Sequence, residues 1–277
     1  MKLYPRMRER PPEFRINPAS PLYDGLVLAC LGQHAGAGYM YDSSPYGNHG
    51  VFENKSISQW QWHKDLSRYV LRFNGASGER VNVGDAKGTD SLQQLSIAVW
   101  FAKDVGVGGD RGIVEQYDWG EGVNDGFLMR ISNVSTLRFG IIDHVAFPEV
   151  QATITDDGSW HHAVGIWSGT EEYLYVNGVL RATRGATANL SYIVNPLIIG
   201  ASSDLVWNFF IGLIGDPMIW RRALSDSEGK ALADPGNVDL RVGGVPLILP
   251  PRRRSWPGIT ITTQDEVITL PTLLAEC

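Results

Sequence analysis

The stretch Glu172-Tyr-Leu-Tyr-Val-Asn-Gly-Val-Leu180 decides the fold class. Leu174 and Val176 fall on one side of an extended chain and Tyr173 and Tyr175 on the other, the two-residue period of a strand. Asn177-Gly178 then supplies two consecutive residues tolerant of positive φ, as a type I′ turn requires, so the chain is expected to fold back on itself as an antiparallel hairpin. The same alternation recurs upstream. In Leu95-Ser-Ile-Ala-Val-Trp-Phe-Ala102, Leu95, Ile97, Val99 and Phe101 share one face, and Ala98 and Trp100 the other. Leu71 and Phe73, then Val81 and Val83, repeat it with polar residues between. Strand candidates follow one another at intervals of about 8–15 residues, punctuated by Gly, Asn or Asp, as in sandwiches and barrels. One helix stands out, Ser225 to Leu232, with Ser225 as N-cap, Glu228 completing a capping box, and Asp234-Pro235 as its stop.

Composition agrees with an all-β body. Of 277 residues 31 are Gly, aromatics make up 10% and charged residues only 19%, a profile of short strands and tight turns. The net charge is −6, but residues 1–15 carry +3 and residues 235–277 zero, leaving −9 on the body between them. An acidic body repels nucleic acid, and a short basic arm suits an acidic protein surface. Cys30 and Cys277 are too few and too far apart in sequence for a disulfide framework. The start, MKLYPRMRERPPEF, has no apolar core of a secretory signal, and no stretch approaches the ~18 apolar residues of a membrane span. No membrane partner is expected.

Three segments are expected. Residues 1–20 form an extended, basic, proline-rich arm, since Pro5, Pro11, Pro12 and Pro18 remove amide donors and fix φ. Residues 21–234 form the sandwich. Residues 235–277 form a second arm, with Pro250-Pro251 ahead of Arg252, Arg253 and Arg254, and an alternating Ile259-Thr-Ile-Thr-Thr that could add a late strand.

Several segments, taken in order, resemble the concanavalin A-like (laminin-G-like) family of bacterial and phage proteins. They are Gly25-Leu-Val27 with Tyr41-Asp-Ser-Ser-Pro-Tyr-Gly-Asn-His-Gly50, Leu71-Arg-Phe-Asn-Gly75 with Val81-Asn-Val-Gly84, and Leu95 to Ala102. Trp160-His-His-Ala-Val164 with Leu174-Tyr-Val-Asn-Gly178 follows, then Phe210-Ile-Gly-Leu-Ile214 with Ile219-Trp-Arg-Arg-Ala-Leu-Ser225. The resemblance runs over roughly residues 22–232 and implies an antiparallel two-sheet jelly-roll sandwich. It identifies an architecture, which by itself assigns no activity. The family pattern also implies an acidic calcium ligand on its last strand. Here Gly215-Asp216-Pro217 stands at that place, with one carboxylate missing and a proline interrupting the ladder.

Candidate sites divide by chemistry. Glycoside hydrolases of this fold carry paired carboxylates as E-x-D-x-E on one strand, and no such run exists here. The nearest clusters, Asp118-Trp-Gly-Glu121 and Asp156-Asp157, sit in turn contexts, and no nucleophile elbow or zinc motif is present. The chain is therefore expected to be non-enzymatic. Asp42 and Asn48 lie in an oxygen-rich turn that, with Asp216, could hold calcium, or could be an Asx-turn satisfying local amides. No other cofactor is expected. His161 and His162, being adjacent, must point to opposite faces of a strand and cannot share a metal. Trp60, Trp62, Tyr117, Trp119 and Trp207 fall in or beside loops, where aromatic faces stack on sugar rings, and Trp119, Tyr117 and Trp207 are taken as the carbohydrate candidates.

Two functions from different classes remain. The first is a structural virion protein that decorates or cements a phage capsid, made in the host cytoplasm and anchored to other virion proteins or copies of itself. Its grips would be Arg6, Arg8 and Arg10 on one arm and Arg252 to Arg254 on the other, the latter in a Pro-Arg-Arg-Arg-Ser-Trp run that resembles the ends of tailed-phage laminin-G-like proteins. The alternative is a carbohydrate-binding or adhesion module that recognises surface glycans.

Overall fold

A computed structural model describes residues 16–31, 39–54, 60–76, 78–117, 125–142, 149–188, 190, 193, 195–203 and 208–235. All of them belong to the unit spanning Met1–Val242. The two arms therefore lie outside the described residues, apart from 16–20 and Pro235.

The hairpin forms as its turn dictates. Asn177 and Gly178 take φ of 51° and 73°, and Val176 pairs with Val179 across the turn. Around it the chain lays down β1 (Leu26–Ala29), β2 (Tyr39–Met40), β3 (Gly50–Glu53), β4 (Trp60–His63), β5 (Arg68–Asn74), β6 (Arg80–Gly84), β7 (Leu95–Lys103) and β8 (Arg111–Tyr117). It continues with β9 (Gly126–Ser132), β10 (Thr136–Ile142), β11 (Glu149–Thr153), β12 (His161–Trp167), β13 (Glu171–Val176), β14 (Val179–Gly185), β15 (Leu197–Ile199) and β16 (Ile211–Trp220). The first sheet runs β14-β13-β12-β7-β16-β5-β4 with β1 added on β16, and the second runs β11-β10-β9-β8-β15-β6-β3-β2. The described pairings are all antiparallel. This is the two-layer jelly roll that the family resemblance implied, built from the strands that the alternation marked.

The strand faces sort as their period requires. Leu95, Ile97, Val99 and Phe101 of β7 enter the core between the sheets with Leu71, Phe73, Phe127, Phe139 and Leu174. The sheets approach closely at Gly165 of β12, where a Cβ would lie 2.2 Å from the Phe139 ring of β10. Ala98 and Tyr175 face the other way, into a second apolar layer with Trp220, Val164 and Ile166. That layer is closed by Leu22 of a 3₁₀ turn (Pro21–Tyr23) and by Leu224 and Leu232, which flank α1 (Asp226–Ala231). Ser225 caps α1, accepting the Glu228 amide while the Glu228 carboxylate accepts the Ser225 amide at 2.8 Å, the reciprocal box read from the sequence. Ile16 is buried in this same layer, so the last residues of the first arm contribute to sandwich packing.

β16 shows what the proline does. Ile211 to Ile214 pair with β5 and Met218 to Trp220 pair with β1, and the register against β7 shifts between Gly215 and Met218. Asp216 takes φ of 44° at this interruption, and the Pro217 carbonyl turns to accept the Cys30 amide. Among the described residues no helix is long and apolar enough to cross a membrane.

Candidate functional site

The calcium candidates Asp42, Asn48 and Asp216 are all buried. β1 runs beside the 42–48 turn. Asp42 Oδ1 accepts the amides of Ala29 at 2.8 Å and Ser44 at 2.7 Å, and Oδ2 accepts the Asn48 amide at 2.7 Å and the Ser44 hydroxyl at 2.5 Å. Four donors occupy the roughly four acceptor positions of one carboxylate. Asn48 is engaged in turn: Oδ1 accepts the Lys87 amide at 2.9 Å, and Nδ2 donates to the Val27 and Lys87 carbonyls at 3.0 Å each. Asp216 forms a buried ion pair with Arg68, which also donates to the carbonyls of Leu66 and Pro235. Asp42 and Asp216 do approach a common point, the buried Cys30 thiol, whose pKa is pushed up by burial first and by these two carboxylates next. As arranged, however, the three residues do not fit a calcium ion. The turn is a local amide trap, and the last-strand carboxylate neutralises an arginine. Among the described residues no three His, Cys, Asp or Glu side chains group as a metal would need.

Tyr117 occupies a different place from the one its sequence context suggested. Expected at a loop with an exposed ring, it ends β8 and is 3% exposed. Strand pairing sets Glu115 opposite Leu128 and Tyr117 opposite Gly126, on the side of the second sheet that faces away from the core. There Tyr117 packs with Leu128 and Ile142. Its hydroxyl lies 3.0 Å from Ser202 Oγ and the Arg130 guanidinium sits 5.4 Å from its ring centroid, while Arg130 Nε is 3.1 Å from Glu115 Oε1. A ring covered by an ion-paired arginine offers no stacking face. Trp119, Trp207, Arg6, Arg8, Arg10, Arg252, Arg253 and Arg254 lie outside the described residues.

The outer face of the first sheet carries a polar group inside an apolar setting. His161 and His162 do point to opposite faces: His161 stacks beside Phe101 on the core side, and His162 lies 4.8 Å from Trp100 on the outer side. His162 is fully buried, neither ring nitrogen has a hydrogen-bond partner, and its pKa falls to about 3 because burial, and then Arg68, disfavour the imidazolium. Leu66, Val70 and Trp100 make the adjoining apolar patch, with Trp160 against it. Nothing in the sequence singled out Arg68. Its side chain is set by the Asp216 bulge, which appears only once β5 and β16 are paired.

The exposed aromatic is Trp62. It and Trp60, read from the sequence as lying in or beside loops, are on β4, an edge strand of the first sheet among the described residues. Trp60 pairs with Leu71 and meets Phe52 of the second sheet with ring centroids 6.0 Å apart. Trp62, two positions further along the same face, is 42% exposed and meets Tyr69 edge to face at 5.2 Å. The Trp-x-Trp spacing was the signal that could have placed both on one strand face.

Two antiparallel sheets packed around a shared apolar core place the chain in the jelly-roll class of β-sandwich. Residues 74–228, more than half of the chain, match the concanavalin A-like lectin/glucanases superfamily, and the chain belongs to that family. A comparison with curated proteins finds no match. Among solved structures, the chain is similar to the binding domain of botulinum neurotoxin serotype C1, with TM-score 0.60 and 15% identity over 77% of this chain and 52% of that one. It is similar to the binding domain of botulinum neurotoxin DC in complex with SialylT, with TM-score 0.59 and 15% identity over 76% of this chain and 51% of that one. It is also similar to the binding domain of Paraclostridial Mosquitocidal Protein 1, with TM-score 0.56 and 16% identity over 77% and 52%. At these identities the likeness is one of fold, and the chain spans about half the length of each of these structures.

Proposed function

We propose that the chain is a non-catalytic recognition module that binds carbohydrate. The observation that carries this reading is the disposition of the carboxylates in a lectin-type sandwich. Asp42 is saturated by amides and a hydroxyl, Glu115 pairs with Arg130, Asp216 pairs with Arg68, and Glu172 accepts a backbone amide. Hydrolysis needs one carboxyl that donates a proton and another that attacks or activates water, both facing the substrate. Among the described residues, carboxylates fixed in this way serve the fold, which favours recognition over hydrolysis. The structural neighbours lend the same direction. Among the similar structures, one concerns botulinum neurotoxin type C, whose cell entry is dependent upon interaction with two ganglioside molecules, and another neurotoxin binding domain is seen with SialylT. A decorating role on a virion draws only on the two arms, through their composition and the phage-like Pro-Arg-Arg-Arg-Ser-Trp run, and the comparisons add nothing to it.

The test is a glycan array probed with the full chain, followed by incubation of every bound glycan with the protein and analysis for cleavage. Binding without turnover is the expected result. Absence of binding to all glycans would reject the recognition reading, and turnover that a carboxylate substitution abolishes would reject its non-catalytic part.

A further inference from the structure

We infer that the β4–β5 hairpin is the carbohydrate site and that Trp62 is its stacking platform for neutral pyranose chains, an assignment that rests on the recognition reading above. Trp62 is the one aromatic among the exposed large apolar side chains of the described residues, at 42%, whereas Trp100, Trp167 and Trp220 are 7%, 1% and 0% exposed. A scattered exposed aliphatic residue needs no explanation. A half-exposed indole fixed in orientation is a different object. Tyr69, its register partner on β5, holds it edge to face at 5.2 Å with an interplanar angle of 74°, so the ring is positioned before any ligand arrives. Binding then costs little side-chain entropy, the property that makes rigid aromatic residues effective recognition anchors. Among the described residues β4 is also an edge strand of its sheet, with β5 as its strand neighbour.

The surroundings define the ligand class. A pyranose presents a face of C–H groups ringed by hydroxyls, and so needs an apolar plane edged by hydrogen-bonding groups. Gln61 and His63 alternate to the opposite face of β4, and the connection to β5 supplies the exposed Lys64, Asp65 and Ser67 at the end of the strand. Asp65 is 64% exposed, 3.9 Å from the His63 ring, which the Trp160 indole N–H approaches at 2.9 Å. Charge selects against an acidic sugar. A sialic acid carboxylate is best met by a guanidinium fork, but both arginines of the hairpin are already engaged, Arg68 with buried Asp216 and Arg72 with Asp104. Lys64 is offset by its neighbour Asp65. The hairpin is therefore suited to neutral glucose- or galactose-type chains rather than to sialylated ones.

The experiment compares the full chain with Trp62→Ala and Trp62→Phe on an array holding neutral gluco- and galacto-oligosaccharides and their sialylated counterparts. Thermal unfolding of each variant is recorded alongside. Neutral oligosaccharides should bind, Trp62→Ala should weaken that binding about tenfold or more, and Trp62→Phe should retain most of it, with thermal midpoints unchanged. Glycan binding that Trp62→Ala leaves intact would overturn the hairpin assignment and leave the recognition reading standing. Preference for the sialylated set would overturn the neutral class. Failure of the unmodified protein to bind any glycan would remove the recognition reading, and this site with it.

Discussion

Glu172 reaches from β13 across the sandwich and accepts the Ile141 amide of the opposite sheet at 2.8 Å. Ile141 lies just past the last described β10–β11 pair, Gly140 with Glu149. Burial lifts the Glu172 pKa to about 7, against the smaller lowering effects of the Ile141 amide and Arg184. A carboxyl whose pKa is raised on folding stabilises fully below its unfolded value near 4.5, and that contribution is lost as pH rises towards 7. Glu172→Gln keeps the acceptor for Ile141 and removes the titration. Urea unfolding of this variant should lack the fall in stability that Glu172 alone contributes across this window, so its pH profile should differ from that of the unmodified protein. An unchanged pH profile would mean that Glu172 does not titrate there.

His162 has the opposite sign. Its ordinary value of 6.5 drops to about 3 when folded, so its contribution is complete above pH 6.5 and disappears as pH falls towards 3. The groups facing it are the Trp100 ring and the Arg68–Asp216 pair. Between about pH 4.5 and 6.5 the two slopes, each at most ~1.4 kcal/mol per pH unit, oppose one another. The unmodified protein should therefore be nearly insensitive in this range as far as these two groups are concerned. Glu172→Gln should uncover a loss of stability on acidification, and His162→Phe, which fills the same space beside Trp100, should uncover a gain. If both variants track the unmodified protein, the two burials do not control its acid response.

How much of this was legible beforehand differs between fold and site. Leu95 to Ala102 and Glu172 to Leu180 sort into faces as their period requires, and the Asn177-Gly178 turn takes the two positive φ values its residues permit. Local chemistry decides such features, so a sequence displays them. Asp42 was legible only as a pair of alternatives, because ligation and an Asx-turn use the same oxygens and the donors that settle it include the amide of Ala29, 13 residues away. Tyr117 misled because a loop neighbour in sequence is a strand end in space, covered by Arg130 from β9. Trp62 was present in the sequence as an aromatic, but its exposure depends on where Phe52 of the other sheet stops covering β4.

The Arg68–Asp216 pair is expected to behave as a buried unit. Side-chain exposures of 6% and 2% mean that removing one partner strands the other in an apolar setting. Asp216→Asn tolerates the left-handed φ of 44° yet deletes the charge, and should lower unfolding free energy by about 3–5 kcal/mol. Arg68→Met combined with Asp216→Asn should recover much of that loss, since the cost lies in the unpaired charge rather than in the absence of the pair. A double variant as unstable as the sum of its singles would show that the two residues act independently.

A close approach of the two sheets, at Gly165, gives a sharp test of the architecture. A methyl group on Gly165 would stand 2.2 Å from Phe139 Cδ2, inside the distance that any carbon pair tolerates, and both residues are in the interior. Gly165→Ala alone should destabilise by about 1–3 kcal/mol through overpacking. Phe139→Leu alone should also destabilise, by opening space opposite β12. Together they should cost less than the sum of the two by ~1 kcal/mol or more, because the smaller side chain vacates the volume that the added methyl occupies. Chemical unfolding of the four proteins measures this coupling, and strictly additive losses would show that β12 and β10 do not face one another across the core.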